Sequence, residues 1–300
     1  MSNYCSFCTG RHIIKKDIPV IYYKGRKFSW HKCIDCKLIF ILPFLSADDF
    51  DKLYGISYHQ KYYFDYTVNY NKQINLLQGY NKNTFLDYGC GDAGLLSKLH
   101  TKGYQVTGVE YDPLLVKELN TIFPLINIQT ADDFEKQEVT KYDVIHLGDV
   151  LEHMNDPSAL IRRLTGYLKD DGIFFIEGPL EKNPNLAFFF RKITTRIKKN
   201  LNLEKIRVKE PYHVTFSNAC NQQLLFENAG LKKIYFKVWE HGFPYIDKKK
   251  DIRSVWTFLQ WLIVKTSISV SQIVPGWGNR FSYIGKPSAV KGDRCSVHED

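Results

Sequence analysis

The chain has 300 residues, of which 44% are hydrophobic and 24% are charged, and its formal net charge is +9. This length and composition are typical of one large folded domain with a small additional module. The first residues lack the apolar core of a secretory signal, and the longest apolar run, residues 255–264, is about half of what a membrane-spanning helix needs. We therefore expect a cytoplasmic protein. Its basic charge has three interpretations: it serves only solubility, it attracts an anionic substrate, or it allows peripheral contact with an anionic membrane.

Two Cys-x-x-Cys pairs open the chain. Cys5 and Cys8 form the first pair, and Cys33 and Cys36 form the second, with 24 residues between the pairs. Each pair can present two thiolates to one ion, and together they complete the closed tetrahedral shell of a structural zinc site. We predict a zinc-binding module over residues 1–42, in which the metal compensates for a core too small to fold alone. Because protein sulfurs fill all four positions, this zinc is not expected to be catalytic.

Residues 43–83 are predicted to link this module to the next domain. The run LIFILPF indicates a strand that ends at Pro43, and Ser46 followed by acidic residues indicates the start of a helix. An aromatic segment, residues 58–70, comes next and leads into a helix that ends near Tyr80. We expect the tyrosines of this segment mainly to pack against the neighbouring domain.

From about residue 84 onward, strand-like and helix-like segments alternate, which predicts a parallel sheet with helices on both faces. The turn after the first strand contains Asp87, Gly89, Gly91 and Gly94, a spacing typical of a loop whose backbone must approach a nucleotide. The second strand ends in Glu110, where a carboxylate can accept hydrogen bonds from ribose hydroxyls. A dinucleotide-dependent dehydrogenase shares this spacing, but no later dehydrogenase signature follows.

Four segments, LDYGCGDAG, GVEYDP, YDVIHLGDVLEHMNDP and LKDDGIFFIEGP, resemble in order the motifs of class I S-adenosylmethionine-dependent methyltransferases. The resemblance covers residues 84–290 and implies an α/β fold, a Rossmann-like seven-stranded doubly wound sheet. It also implies a lid insertion at 185–212, a helical insertion at 250–276 and a disordered tail at 291–300. With the cysteine module in front and YHVTFS at 212–217 behind, the chain is similar to methyltransferases of sugars and small metabolites, including surface-glycan enzymes.

The resemblance implies which residues hold the S-adenosylmethionine cofactor. Asp87 and the loop of Gly89, Gly91 and Gly94 correspond to the residues that hold its methionine part, and Glu110 to the one that holds the ribose. The adenine amino group is expected at Asp132 or at its neighbour Asp133. Gly148 and Asp149, after the fourth strand, are expected to flank the cofactor.

Methyl transfer to a hydroxyl requires an aligned acceptor, exclusion of water and removal of a proton. We predict Glu152, His153 and His213 as catalytic residues, because histidine, with an ordinary pKa of about 6.5, can accept a proton near neutrality. Which histidine is the base stays open, and the alternative role of His153 is to anchor the junction between the loop and the helix. No metal is expected at residues 148–157: the pair Glu152 and Asp156 is interpreted as a surface relation, and Asp156 as the start of a helix.

The acceptor is interpreted as a sugar or another small hydroxylated molecule that is methylated on oxygen. Sugar C-methyltransferases carry a fuller Glu–His pair near the position of His213, whereas Glu210 in this chain has a different spacing, which disfavours C-methylation. An rRNA methyltransferase is disfavoured because the motifs for base amino groups or pyrimidine attack are missing, so no nucleic-acid partner is expected. A non-catalytic cofactor-binding protein is disfavoured by the intact glycine loop.

Two further segments suggest contacts with other surfaces. Residues 185–209 combine apolar residues at helical spacing with basic residues on the other side, and an apolar helix is predicted around 252–274. The first is interpreted as a lid over the acceptor pocket. Both leave peripheral membrane contact open, and the second also leaves a homodimer open.

Overall fold

The computed structural model describes residues 4–18, 20–54, 70–80, 82–186, 188–190, 192–193, 196, 211–241, 249 and 252–288. The predicted tail at 291–300, nearly all of the aromatic segment 58–70 and most of the predicted lid at 185–212 lie outside the described residues.

A small antiparallel sheet contains the first four strands of the chain. These strands are β1 (Ile13–Lys15), β2 (Ile21–Tyr23), β3 (Arg26–Cys33) and β4 (Ile39–Leu42). Strand β3 pairs with β1, β2 and β4, and β4 pairs in turn with β10 (Thr215–Phe216), which comes from far along the chain. The pairing continues beyond β10, because the amide of Ile41 donates to the carbonyl of Val214 at 3.0 Å. The N-terminal sheet is therefore completed by the segment that follows His213.

Two helices connect this sheet to the larger domain: α1 (Ala47–Tyr54) and α2 (Asn71–Gln78). The start of α1 agrees with the prediction, since Ser46 and Asp49 cap it reciprocally. The amide of Asp49 donates to Ser46 Oγ at 3.3 Å, and the amide of Ser46 donates to Asp49 Oδ2 at 2.8 Å. This cap fixes the direction in which α1 carries Tyr54 toward the functional site.

The larger domain is built on a seven-stranded sheet of order β11-β12-β9-β8-β5-β6-β7. Its strands are β5 (Thr84–Tyr88), β6 (Gln105–Glu110), β7 (Asn127–Thr130), β8 (Tyr142–Gly148), β9 (Leu168–Pro179), β11 (Leu231–Trp239) and β12 (Arg280–Pro287). Neighbours among β5 to β9 are parallel, and β12 runs antiparallel to both β9 and β11. The predicted seven-stranded fold is confirmed, and its antiparallel strand is β12.

Helices cover both faces of this sheet. They are α3 (Gly94–His100), α4 (Pro113–Ile122), α5 (Ala131–Lys136), α6 (Pro157–Thr165), α7 (Ala219–Asn228) and α8 (Val255–Ile273). Asp156 caps α6 as predicted, accepting the amide of Ala159 at 2.9 Å. The acidic segment at 131–133 begins α5, because the hydroxyl of Thr130 caps the amide of Asp133.

The central strands are buried on both faces, so their successive side chains enter two separate cores. Phe85 and Val144 belong to one core, whereas the adjacent Leu86 and Ile145 belong to the other. Phe7, Leu38 and Phe40 of the N-terminal segment join the second core. The cysteine-containing segment therefore packs directly onto one face of the larger domain.

Helix α8 leaves many apolar side chains exposed, among them Val255 at 79% and Trp256 at 51%. Its inner side is fixed by the fully buried Ser267, whose hydroxyl donates to Glu240 Oε2 at 3.0 Å. Among the described residues, no helix is long and apolar enough to cross a membrane. Contact of this face with a membrane surface or with a second copy stays a prediction.

Candidate functional site

The candidate residues meet at one edge of the seven-stranded sheet. The carboxyl ends of β5, β6, β8 and β9 lie there, together with the amino end of the antiparallel β12. The chain leaves β5 in one direction toward β6 and returns on the other side at β8, so this edge contains the switch point at which ligands bind in open α/β sheets.

The glycine loop between β5 and α3 is sterically crowded. Gly89 and Gly91 have φ values of +84° and +54°, which favour glycine. A Cβ on Gly89 would lie 2.6 Å from Cγ2 of Val150, and a Cβ on Gly94 would lie 2.9 Å from the hydroxyl oxygen of Tyr70. The loop thus brings backbone amides to the sheet edge in a way that larger residues would prevent.

Glu110 lies directly against this loop, as the prediction required. Its Oε2 accepts the amide of Gly91 at 2.9 Å, and its Oε1 accepts the amide of Tyr111 at 2.7 Å. Burial raises the pKa of Glu110 to about 7, although these backbone donors act in the opposite direction. A buried carboxylate at the end of β6 is suitably placed for ribose hydroxyls; the contact itself stays a prediction.

Asp87 forms a buried pair that the sequence did not reveal. Its Oδ1 lies 2.7 Å from Nδ1 of His146 on the neighbouring strand β8. Burial lowers the pKa of His146, but attraction to Asp87 and Glu177 outweighs it and leaves the pKa above its ordinary value. Nε2 of His146 has no hydrogen-bond partner among the described residues and lies 4.0 Å from Glu177 Oε2. His146 therefore orients Asp87 at the base of the predicted methionine site.

The two alternatives for the adenine contact differ in their surroundings. Asp133 is engaged locally, since its Oδ2 accepts the hydroxyl of Thr130 at 2.7 Å and its amide donates back to Thr130 at 3.1 Å. Asp132 is exposed at the start of α5. Of the two, Asp132 is better placed for a ligand, and this assignment stays a prediction.

Gly148 and Asp149 end β8 at the same edge. A Cβ on Gly148 would lie 2.6 Å from Cε1 of His146, and Asp149 has a φ of +54°. Nη2 of Arg280 lies 2.8 Å from each carboxylate oxygen of Asp149. Burial raises the pKa of Asp149, but the guanidinium outweighs it and holds the pKa below its ordinary value. The carboxylate thus faces β12, and the predicted cofactor contact of these residues stays a prediction.

Glu152, His153 and His213 come together as a cluster in which Glu152 is buried and the two histidines are partly buried. Glu152 and His153 lie on a 3₁₀ turn, Leu151–His153, directly after β8. Glu152 Oε1 lies 3.9 Å from His153 Nε2, and the two imidazole rings are 5.0 Å apart and nearly perpendicular. The amide of Val214 donates to the carbonyl of Glu152 at 2.9 Å, which fixes His213 beside the turn. Glu152 is 5% exposed, so its interpretation as a surface residue paired with Asp156 is wrong.

His153 is held in one tautomer by its neighbours. Its Nδ1 lies 2.7 Å from the carbonyl oxygen of Tyr212 and 2.8 Å from the hydroxyl of Tyr54. Because a carbonyl can only accept, the proton is assigned to Nδ1 and the lone pair to Nε2. Burial and the nearby His213 lower the pKa of His153 to about 4, so this ring is neutral at pH 7.

His213 has the opposite character. Its Nδ1 lies 2.7 Å from Oε1 of Glu181, just after β9. Burial lowers the pKa of His213, but Glu181 and Glu152 outweigh it and raise the pKa to about 9, so this ring is a cation at pH 7. His213 thus has a glutamate partner, Glu181, that the sequence around Glu210 did not indicate. Burial and Asp149 raise the pKa of Glu152 to about 8.

Among the described residues, two groups could hold a metal ion. In the first, Sγ of Cys5 lies 3.6 Å from that of Cys36, and Sγ of Cys8 lies 3.5 Å from that of Cys33. Tetrahedral zinc with bonds of about 2.3 Å separates its sulfurs by about 3.8 Å, which these distances approach. The hydrogen bond from Cys36 lowers the pKa of Cys5 to about 6, whereas the pKa of Cys36 is raised by the same bond and that of Cys8 is raised to about 11 by burial, so without a metal one thiolate is favoured at Cys5.

The second group is the cluster itself, since one donor atom each from Glu152, His153 and His213 lie within 4.8 Å of one another. Two imidazoles and a carboxylate suit a divalent transition metal and leave coordination positions open. Oε1 of Glu152 is buried without a hydrogen-bond partner among the described residues, as a ligand position would require. The expectation of no metal at 148–157 did not anticipate that His213 would join this group.

A doubly wound sheet with a glycine loop after its first strand and an acid at the end of the second defines a Rossmann-like enzyme that binds a nucleotide-containing cofactor. Residues 61–235, more than half of the chain, match the methyltransferase domain family. The chain belongs to this methyltransferase family.

Similar proteins include ubiquinone biosynthesis O-methyltransferases. That of Pseudomonas savastanoi pv. phaseolicola is 31% identical over 110 residues, covering 35% of this chain and 47% of the relative. That of Aeromonas salmonicida is 30% identical over 105 residues, covering 33% and 44%. The chain thus spans about half the length of the curated relatives it matches. Among solved structures, the PH0226 protein of Pyrococcus horikoshii OT3 has a TM-score of 0.49 at 13% identity, covering 78% of this chain and 99% of that one.

Proposed function

We propose that this methyltransferase transfers the methyl group of S-adenosylmethionine to a hydroxyl group of a sugar or another small hydroxylated acceptor. The observation that carries the proposal is the cluster of buried Glu152 with the partly buried His153 and His213 at the sheet edge that also contains the glycine loop. Support comes from the similar proteins, two of which are named as O-methyltransferases.

Each of the three residues has its own proposed role in activating the acceptor hydroxyl. Glu152 is the proposed general base, because its Oε1 has no hydrogen-bond partner among the described residues and its pKa of about 8 makes its ionised form, which grows as the pH approaches 8, strongly basic. The cofactor, held by the glycine loop and Glu110, would supply a methyl group activated by a positively charged sulfur and would leave as S-adenosylhomocysteine. The ionised form of Glu152 would take the proton of the acceptor hydroxyl as that oxygen is methylated.

The histidines support this transfer from either side of the carboxyl group. The His213 cation, held by Glu181, stabilises the negative charge that develops on the acceptor oxygen. Neutral His153 has its Nε2 lone pair 3.9 Å from Glu152 Oε1 and would accept a hydrogen bond from a second hydroxyl of the acceptor. A divalent cation bound by the same three residues would also lower the pKa of the hydroxyl. Activity after removal and return of divalent ions distinguishes these routes.

The test uses the full chain and measures S-adenosylhomocysteine formation on a panel of sugars and other hydroxylated acceptors. We expect Glu152→Gln, His153→Ala and His213→Ala each to lower turnover, by about 100-fold for Glu152→Gln, while cofactor affinity measured by titration calorimetry is kept. Glu227→Gln, the same exchange at an exposed position of α7, is the matched control. Unchanged turnover in all three variants would contradict the proposal.

Product analysis tests the alternative of C-methylation, which is favoured by the Glu181–His213 pair. A methyl ether in the product supports O-methylation, and a new carbon–carbon bond supports the alternative. Methylation of rRNA, or cofactor binding without turnover on any acceptor, would refute the proposal.

We also propose a structural zinc ion at Cys5, Cys8, Cys33 and Cys36, supported by the sulfur distances. One zinc ion per chain, measured by elemental analysis and lost on treatment with a thiol-modifying reagent, is the expected result.

A further inference from the structure

A group of cationic and aromatic side chains lies beside the cluster at the outer end of the same edge. We call it the Lys72 patch, defined by Lys72, Trp239 and Arg280. Lys72 is the second residue of α2, and its Nζ lies 3.5 Å from the centroid of the Trp239 ring. The guanidinium carbon of Arg280 lies 5.5 Å from the same ring. The patch thus combines residues from three separate elements, α2, β11 and β12.

The indole at the centre of the patch is fixed in orientation. Nε1 of Trp239 donates to Ser282 Oγ at 3.0 Å, and this hydroxyl donates to Glu177 Oε1 at 2.5 Å. Glu177 and Ser282 are buried neighbours on β9 and β12. The ring therefore presents a rigid surface, on which a cation is held by the π electrons without a carboxylate contact.

Lys72 is a cation without an ionic partner. Among the described residues none forms an ion pair with it, whereas Arg280 is already paired with Asp149. The residue is exposed as a whole, but its ammonium end packs on the indole. This burial lowers the pKa of Lys72 to about 8, and Lys237 and Arg280 lower it further, although Glu177 attracts it. A positive group held among other cations is stabilised when an anion binds.

The patch adjoins the place where the acceptor must lie. Arg280 pairs across the strands with Pro179, and it contacts Asp149, three positions before Glu152. On the adjacent pair, a Cβ on Gly178 would lie 3.7 Å from Glu152 Oε2. The glycine loop lies on the other side of β8. Tyr70, two positions before Lys72, reaches Gly94 of that loop, so the patch adjoins both the cluster and the predicted cofactor site. An acceptor whose hydroxyl reaches Glu152 can extend along the ends of β9 and β12 toward Arg280 and Lys72.

We propose that Lys72, supported by Trp239 and Arg280, binds an anionic group of the acceptor, a phosphate or a carboxylate. This inference rests on the proposed function and narrows its substrate class to acidic hydroxylated molecules, such as phosphorylated or uronic sugars. The net charge of +9 would also attract such an anionic acceptor to the protein.

The test measures the melting temperature of the full chain, saturated with S-adenosylhomocysteine, in inorganic phosphate and in sodium chloride of equal ionic strength. We expect phosphate to raise the melting temperature above the chloride value in the native protein. We expect Lys72→Met to lose this increment. The matched control is Lys233→Met, which removes the same charge from the opposite end of β11 and should keep it. An increment that persists in Lys72→Met, or its absence in the native protein, overturns the proposal.

A second measurement separates an acceptor subsite from a contact with the carboxylate of the cofactor. The affinity of Lys72→Met for S-adenosylhomocysteine should equal that of the native protein, and a loss of tenfold or more overturns the assignment to the acceptor. Phosphate binding does not require turnover. If the cluster variants keep turnover while the phosphate increment depends on Lys72, the proposed catalytic roles fail and the anion subsite stands. If the cluster variants lose turnover while the phosphate increment does not depend on Lys72, the anion subsite fails and the catalytic roles stand.

Discussion

Two groups of metal-ligand residue types occur among the described residues, and they differ in almost every physical respect. The four cysteines come from two short Cys-x-x-Cys pairs and share one kind of donor, and the sulfur distances from one pair to the other are 3.5 and 3.6 Å. The cluster of Glu152, His153 and His213 unites distant segments, uses two kinds of donor and has pKa values spread from about 4 to about 9. A closed, uniform set suits stability, whereas an open set with separated pKa values suits chemistry.

The largest expected effect breaks the closed set. Cys33→Ser should lower the free energy of unfolding by about 4 kcal/mol or more, because it removes a buried zinc ligand next to a shared core. Urea unfolding with zinc quantification measures this effect. Cys220→Ser changes an exposed free cysteine of α7 and serves as the control. Equal stability of the two variants would refute a structural zinc site.

The second prediction concerns the open set and has the opposite pattern. Glu152→Gln should lower turnover by about 100-fold without lowering stability. The raised pKa means that the folded state holds a proton that the unfolded state releases above pH 4.5, so native stability falls as the pH rises toward about 8. Glu152→Gln has no titrating group at this position, so its stability should not show this fall with pH. Thermal unfolding of both proteins from pH 5 to 9 measures it, and parallel curves would contradict the assigned pKa.

The third prediction concerns the residue that holds His213. Glu181→Gln removes the main attraction that raises the pKa of His213, so the cation is lost at a lower pH. We expect turnover to fall about tenfold at pH 8 and the alkaline limb of the pH–rate profile to move to lower pH. Glu181→Asp should restore part of the native profile. A profile of unchanged shape would mean that the His213 charge is not used.

The smallest effect comes from a buried carboxyl group outside both sets. Burial raises the pKa of Glu240 to about 7, although the hydroxyl of Ser267 donates to it. Native stability should therefore fall relative to Glu240→Gln as the pH rises from 4.5 through 7, by a few degrees in melting temperature. Turnover should not change. A loss of turnover in Glu240→Gln would mean that raised carboxyl pKa values alone do not mark the functional residues.

Local pattern was sufficient for much of this molecule. The Cys-x-x-Cys spacing, the glycine turn and the strand that ends in Glu110 are each contained in a few consecutive residues, and all three occur where they were predicted. The same holds for the cap of α1 at Ser46 and for that of α6 at Asp156. Backbone geometry and short-range hydrogen bonds determine these features, so their signals are local.

Contacts between distant segments could not be predicted in this way. Glu181 reaches His213 across 32 positions, and Arg280 reaches Asp149 across 131. Nothing near Lys72 in the sequence indicates Trp239. Such pairs arise from strand order and helix placement, which bring carboxyl ends of strands to one edge. A signal for Glu181 was present only as a carboxylate just beyond the fifth strand of the large sheet.

The pairing of β4 with β10 means that the cysteine segment helps to position the residues of the proposed catalytic cluster. Val214 is joined on one side to Ile41 and on the other to the carbonyl of Glu152, so the distance between His213 and the base is gauged from the N-terminal sheet. A shift of one residue in the strand register of that sheet would therefore displace His213 relative to the acceptor. The small sheet therefore acts as a fixed support for His213. If this segment were exchanged for that of a relative, the pairing of β4 with β10 would have to be preserved as well as the proposed zinc site.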